Sequence, residues 1–245
     1  MKVIVFAIFL AICAPALAQT PTGEEILDRI DENMSSRNRV VTSQMVIHGR
    51  RSTRTIASRS WVQGTEKSFT EYLSPARERG TKMLKLADNL WVFSPSSDRT
   101  IQISGHMLRQ SVMGSDLSFE DMLEDPKLTH HYHAAVVGEE IVDDNACWVL
   151  ELTAKVRDIA YYMRKIWVDR EKSIPLREEL YAKGGKLLKR MALKDIALLE
   201  DRWYPKRMIY RDMLKKGKGT EFIIETIEFD VDIPPHIFTK AALKK

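Results

Sequence analysis

From Val40 onward, apolar and polar positions alternate with a period of two. Val41, Met45 and Ile47 fall on one side of the first stretch, and Thr42, Gln44 and His48 on the other. This alternation predicts half-buried β-strands. It recurs over 53–62, 68–73, 82–87, 90–94 and 100–104, and again over 134–141, 147–153, 164–169, 176–182, 187–196, 202–211 and 221–231. The connections are short and carry turn formers: Gly49, Gly64, Asp88-Asn89, Ser96-Ser97-Asp98, Asp143-Asp144-Asn145, Gly184-Gly185 and Gly217-Lys218-Gly219. Asp88-Asn89 fits a two-residue hairpin turn. Short strands joined by tight turns make an antiparallel sheet and not βαβ units. A sheet of this size is expected to curl or close, because a flat one leaves long open edges.

Two segments depart from the strand pattern. Before it, Ile26, Ile30 and Met34 recur at helical spacing, with Leu27 widening the face, and Thr22-Gly23-Glu24-Glu25 matches a capping box. An amphipathic helix is predicted over 23–36, packed on the sheet. In the middle, residues 105–125 show no alternation at first and then a compact helix start. Ser118 suits the N-cap, with Asp121 three residues on, Leu117 and Met122 at staple positions, and Glu120 and Asp121 in the first turn. Pro126 follows soon after. A long loop leading into a helix of one to two turns is either a crossover capping one end of the sheet or a lid over it. Met107, Met113 and Met122, together with Leu108, Val112, Leu117 and Phe119, supply the adaptable apolar bulk of a lid. The last stretch, 234–243, reads as a turn and a short helix anchored by Phe238.

The same central run carries a family resemblance. Leu108-Arg109-Gln110-Ser111-Val112-Met113-Gly114-Ser115-Asp116-Leu117-Ser118-Phe119-Glu120-Asp121-Met122 resembles the signature loop of the LolA-like outer-membrane lipoprotein-sorting proteins. Leu90-Trp91-Val92-Phe93-Ser94-Pro95 and Ile237-Phe238-Thr239-Lys240 extend the resemblance, which runs from about residue 26 to residue 243. It implies a mainly β fold, an incomplete antiparallel β-barrel of about 11–13 strands. An N-terminal amphipathic helix and a short central lid helix complete it. It also implies a concave apolar face that binds acyl chains. On that basis the expected ligand-binding residues are Met45, Ile47, Trp91 and Phe93 in the cavity and Met113, Leu117, Phe119 and Met122 in the lid. The implied role is a periplasmic carrier of lipoprotein acyl chains or another lipid towards the outer membrane. Its expected partners are an inner-membrane exporter and an outer-membrane acceptor. The alternative is a fixed periplasmic subunit of an inner-membrane lipid exporter.

Export is predicted from the N-terminus. Lys2, an apolar run over 3–12 and Ala16-Leu17-Ala18 form a cleavable signal peptide over 1–18, leaving 19–245 as one lipid-binding domain. The apolar run falls short of the ~20 residues a membrane span needs. Cys13 makes a poor lipoprotein site, because Ile12 stands where a small residue is required. Cleavage leaves Cys147 as the one cysteine, expected to be a small core residue.

Composition narrows the chemistry. A formal net charge of +4 is mild and gives no sign of nucleic-acid binding. Lys215-Lys216-Gly217-Lys218 and Arg50-Arg51 are expected to be solvated hairpin tips, or else a docking surface for anionic lipid or an acidic partner. His130-His131-x-His133 has no nearby cysteine and is read as a surface strand rather than a metal site. There is no Gly-x-Ser-x-Gly elbow, no His-Glu-x-x-His and no phosphate loop. Asp116 and Asp121 both have simpler places at the helix start than as an acid/base pair. No cofactor and no enzymatic activity are expected.

Overall fold

The computed structural model describes residues 20–124, 126–157 and 159–244. The predicted signal peptide, with Lys2, Cys13 and the expected new N-terminus Gln19, lies outside the described residues. So does Asp125, at the end of the predicted central loop.

Helix α1 spans Gly23–Met34 and starts with the predicted capping box between Thr22 and Glu25. Six strands follow: β1 (Asn38–His48), β2 (Thr53–Gln63), β3 (Lys67–Ser74), β4 (Lys82–Leu86), β5 (Asn89–Ser94) and β6 (Arg99–Ile103). Helix α2 spans Phe119–Leu123. Seven strands complete the chain: β7 (Tyr132–Val142), β8 (Asn145–Ala154), β9 (Met163–Asp169), β10 (Pro175–Tyr181), β11 (Leu187–Leu199), β12 (Arg202–Asp212) and β13 (Gly219–Phe229). Two short 3-10 turns, Pro235–Phe238 and Lys240–Lys244, end it. The Asp88-Asn89 turn is shifted by one residue. Leu86 pairs with Asn89, so Ala87 and Asp88 form the turn, and Ala87 takes the positive φ.

All thirteen strands lie in one antiparallel sheet, in the order β6-β5-β4-β3-β2-β1-β13-β12-β11-β10-β9-β8-β7. Two meanders, β1–β6 and β7–β13, are joined where β1 pairs with β13. The sheet does not close into a barrel, as the incomplete barrel requires. Its two edge strands, β6 and β7, are consecutive in the chain. The connection between them, which contains α2, therefore runs from one edge of the sheet to the other.

Alternation assigns the two faces. Val40, Trp61, Phe69, Leu84 and Trp91 are direct cross-strand partners and form one outward row. Ile233, Phe238 and Leu243 of the C-terminal segment cover it. The neighbouring row, Val41, Ser60, Thr70, Met83 and Val92, faces the concave side. At the far end of that side, Ile26, Leu27 and Ile30 of α1 pack on Tyr132, Trp148, Leu150, Leu152, Ile166 and Val168. The N-terminus of α1 presses on the edge strand β7. A Cβ on Gly23 would lie 2.4 Å from the Ala134 carbonyl oxygen, so only glycine fits there. Glu24 Oε1 accepts the edge amide of Ala134 at 3.2 Å, which occupies part of an edge otherwise open to pairing.

Candidate functional site

The site is the space between the concave face and the connection that crosses it. That connection is fixed on both sides of α2. Just before the helix, the Thr220 hydroxyl and the Asp212 amide donate to the buried Asp116 carboxylate at 2.7 and 3.0 Å. Lys215 donates to Ser115 O at 2.6 Å and Arg54 to Met113 O at 2.6 Å. At its other end, Asp31 of α1 accepts the amides of Leu128 and Thr129, both at 3.1 Å, and the Thr129 hydroxyl at 2.7 Å. Between these anchors lies α2, with Ser118 and Asp121 in the expected capping box.

The underside of the connection is apolar. Leu117 is buried against Met45, Ile47, Ile56 and Tyr72, with Met113, Met122, Tyr210 and Phe222 packed around them. Phe119, Leu123 and again Met122 lie on Met83, Leu90 and Ile103 at the β4–β6 side. An apolar cavity of about 150 Å³ remains beneath, bounded by Met45, Tyr72, Leu117, Met122, Met208 and Phe222 among others. A second space of about 360 Å³ adjoins it, sharing Ser60, Thr70, Met122, Met208, Tyr210 and Phe222 with the first. Of these, Met122 is the one that α2 contributes.

The helix is also held by charge. Lys85 donates to the Leu123 carbonyl at 2.9 Å and the Glu124 carbonyl at 3.4 Å, meeting the negative end of α2. Lys189 pairs with Asp121, and the Tyr161 hydroxyl donates to Asp121 Oδ1 at 2.5 Å. Burial alone would raise the Asp121 carboxyl, but Lys189, Tyr161 and the Ser118 amide together hold it below the usual carboxylate range. Burial, and then the charge of Asp121, raise the Tyr161 phenol. Arg164 pairs with Glu124 of the lid and, at 2.9 Å, with Glu178 of the sheet. Its guanidinium lies over the rings of Tyr132 at 4.8 Å and Tyr161 at 5.5 Å.

The structure brings Met45, Ile47, Met113, Leu117 and Met122 together, while Phe119 sits beside this group on the β4–β6 side. The placement of Trp91 and Phe93 in the cavity is corrected. Both lie on the opposite face, under Phe238 and Leu243, with the Lys240 ammonium 4.2 Å from the Trp91 ring centre. Their shared face is the outward row of the sheet. It is Leu90 and Val92, one residue out of phase, that turn towards the lid. Asp116 is likewise not a helix-start residue; it ties the loop to the β12–β13 hairpin. His130 ends a 3-10 turn and His131 caps it, both before the strand, and only His133 lies on β7, 3.6 Å from Glu24. Among the described residues no group of three or more His, Cys, Asp or Glu could hold a metal ion. Cys147 is fully buried, with its thiol pushed up to about 11 by burial and the nearby Asp169.

Sequence reasoning missed Lys85, Tyr161, Arg164 and Lys189. A signal was present for two of them. Arg164 shares the alternation phase of Ile166 and Val168, and Lys189 that of Met191 and Leu193, so each is a cation in a row of inward apolar positions.

The site is thus an open antiparallel sheet with an apolar face and a tethered helix across it. The model of a family described as "Uncharacterized protein" matches residues 64–245. A DUF1329 family protein from Desulfovibrio piger is 25% identical, with a TM-score of 0.83 over 90% of this chain and 97% of that one. A LolA superfamily protein from Nitrosomonas europaea is 27% identical, with a TM-score of 0.73 over 91% of this chain and 100% of that one. An outer membrane lipoprotein-sorting protein domain from Vibrio parahaemolyticus, 23% identical, shares the fold with a TM-score of 0.79 over 91% of this chain and 98% of that one. No curated protein matches the sequence. The chain belongs to the family of the model that matches residues 64–245, and it is similar in fold and sequence to the LolA superfamily.

Proposed function

We propose that this protein is a periplasmic carrier that holds the acyl chains of a lipoprotein or another lipid between its concave sheet and α2, and moves them towards the outer membrane. The observation that carries this reading is the apolar cavity of about 150 Å³ closed by Leu117 and Met122. A cavity of that size suits a molecule like benzene and not a whole acyl chain. Loading therefore displaces α2 and merges the cavity with the adjoining space of about 360 Å³, into the range of ordinary ligand pockets. Each buried methylene contributes about 0.8 kcal/mol, so a chain of ordinary length offsets the loss of the lid's own apolar contacts. Transfer then requires an inner-membrane exporter to load the carrier and an outer-membrane acceptor to empty it. The reading assigns no bond-making step to any residue.

Native mass spectrometry of the protein purified from its own periplasm tests it. The expected result is an adduct that organic extraction removes and whose mass fits an acyl lipid. A preparation with no adduct, which also fails to take up a fluorescent fatty acid, overturns the carrier role.

A further inference from the structure

Charge is divided between the two ends of the sheet. Neighbouring strands are antiparallel, so their turns fall at one end or the other. His48 pairs with Gly219 and Lys189 with Asp212. The β1–β2, β12–β13 and β10–β11 turns therefore stand side by side at one end. The first, residues 49–52, holds Arg50 and Arg51; the second, 213–218, holds Lys215, Lys216 and Lys218; the third, 182–186, holds Lys183 and Lys186. All these cations are exposed, and none of the three turns contains an acid. The flanking β3–β4 turn adds Arg77 and Arg79, and its one acid, Glu78, lies 3.9 Å from Arg54 and from Arg77. Other acids border the patch. Asp212 lies 3.6 Å from Lys215, Glu221 takes His48 and Arg207, Asp116 is buried beneath Thr220, and Glu120 belongs to α2. Arg50, Arg51, Lys186, Lys216 and Lys218 have no acid within ion-pair reach among the described residues. At the opposite end the same strands start or stop at residues 35–37, 64–66, 170–174, 200–201 and 230–232, which hold six acids and three cations. The molecule is thus positive at one end of its strands and negative at the other.

We propose that these turns form a docking surface for the anionic face of a lipid bilayer. The cations stand on separate short turns along a rim and not within a cleft, so a flat anionic surface meets them together. Leu214, 59% exposed, stands beside Lys215 and Lys216. An apolar side chain among lysines suits the boundary where head groups meet acyl chains. The acidic end is repelled by the same surface, so the field orients the molecule as well as attracting it. This end also holds the stretch that leads into α2, because Lys215 donates to Ser115 O and Arg54 to Met113 O. A space of about 350 Å³ beside that stretch is bounded by Leu117, Ser118, Tyr161 and Leu214 among others. Docking therefore brings the flank of α2 to the bilayer. Its use for cargo entry rests on the carrier reading; the docking surface itself does not.

Co-sedimentation of the full mature chain with phosphatidylcholine vesicles, with and without phosphatidylglycerol, tests the proposal. Binding is expected to be about 10-fold tighter or more with phosphatidylglycerol, and the difference is expected to vanish in high salt. Each Lys or Arg near an anionic surface contributes about 5-fold in affinity. Lys216→Glu with Lys218→Glu is therefore expected to weaken binding about 20-fold or more. Arg29→Glu with Lys206→Glu makes an equal change of net charge on α1 and mid-β12, away from the turns, and is expected to weaken it less than about 5-fold. Equal losses in the two double variants mean that net charge alone acts, and overturn the docking surface. Equal binding to both kinds of vesicle overturns it as well. No binding to either overturns it and leaves the basic end to an acidic protein. Uptake of a fluorescent fatty acid, measured without vesicles on the same preparations, keeps the two readings apart. Uptake without vesicle binding overturns docking and leaves the carrier, and vesicle binding without uptake does the reverse.

Discussion

Asp121 closes the capping box with Ser118, but its other two partners come from far along the chain: Tyr161 is 40 residues away and Lys189 is 68. The local partner was legible in the sequence, because a capping box has fixed spacing. The distant ones were not, because which wall residues meet the helix depends on how the sheet curls. The consequence is a specific acid sensitivity. The folded-state pKa of Asp121 is depressed below its ordinary value of 3.8. Its contribution is therefore complete above that value and is lost as pH falls below it towards the folded-state pKa. Protection of residues 118–124 against hydrogen exchange, taken relative to the intrinsic rate at each pH, is expected to fall on acidification below pH 3.8 before the sheet opens. Asp121→Asn is expected to give the same loss of protection at neutral pH. It should cost the lid about 1–3 kcal/mol, since Lys189 and Tyr161 lose a charged acceptor. Unchanged exchange in Asp121→Asn would mean that Lys189 and Tyr161 do not hold the helix.

Helix α2 has five residues, far fewer than a helix needs to persist alone in water. Its order comes from Leu117 and Met122 against the concave wall, from Phe119 against Met83, Leu90 and Ile103, and from the wall cations. The anchors at Asp116 and Asp31 lie outside it, so α2 can lift while its two ends stay attached. Positive φ values at Met113 and Gly114 mark a sharp bend just before it. Segments of this kind sit at the low-stability end of a protein and open locally. Phe119→Ala is expected to speed exchange within 118–124 and to change lipid release, while chemical denaturation of the sheet shifts by less than about 1 kcal/mol, because Phe119 is only half-buried. Adding a lipid is expected to alter protection of this helix and leave β8–β11 as they were. Equal protection with and without lipid, together with unchanged binding by Phe119→Ala, would reduce the segment to a structural crossover.

At the scale of the whole molecule, one sheet carries two covers. The lid and α1 take the concave face, and the C-terminal turns take part of the convex one. Period-two alternation reveals which residues share a face; it does not say which of two faces is concave. That choice depends on which connection crosses the sheet, and both β5 phases are apolar: Trp91 and Phe93 outward, Leu90 and Val92 inward. The strands, both capping boxes and the position of α2 were therefore readable, whereas the side to which Trp91 belongs was not. Deleting residues 234–244 separates the two covers experimentally. Phe238 and Leu243 lose their burial, each contributing about 1.5–3 kcal/mol, so a loss of roughly 3–6 kcal/mol is expected. Trp91 gains access to water, and tryptophan emission should shift to the red. Because the cavity beneath Leu117 and Met122 faces the other way, the truncated chain is expected to keep its affinity for a fluorescent fatty acid at temperatures where it stays folded. A truncation that spared stability but abolished lipid uptake would place Trp91, Phe93 and the C-terminal turns at the binding surface after all.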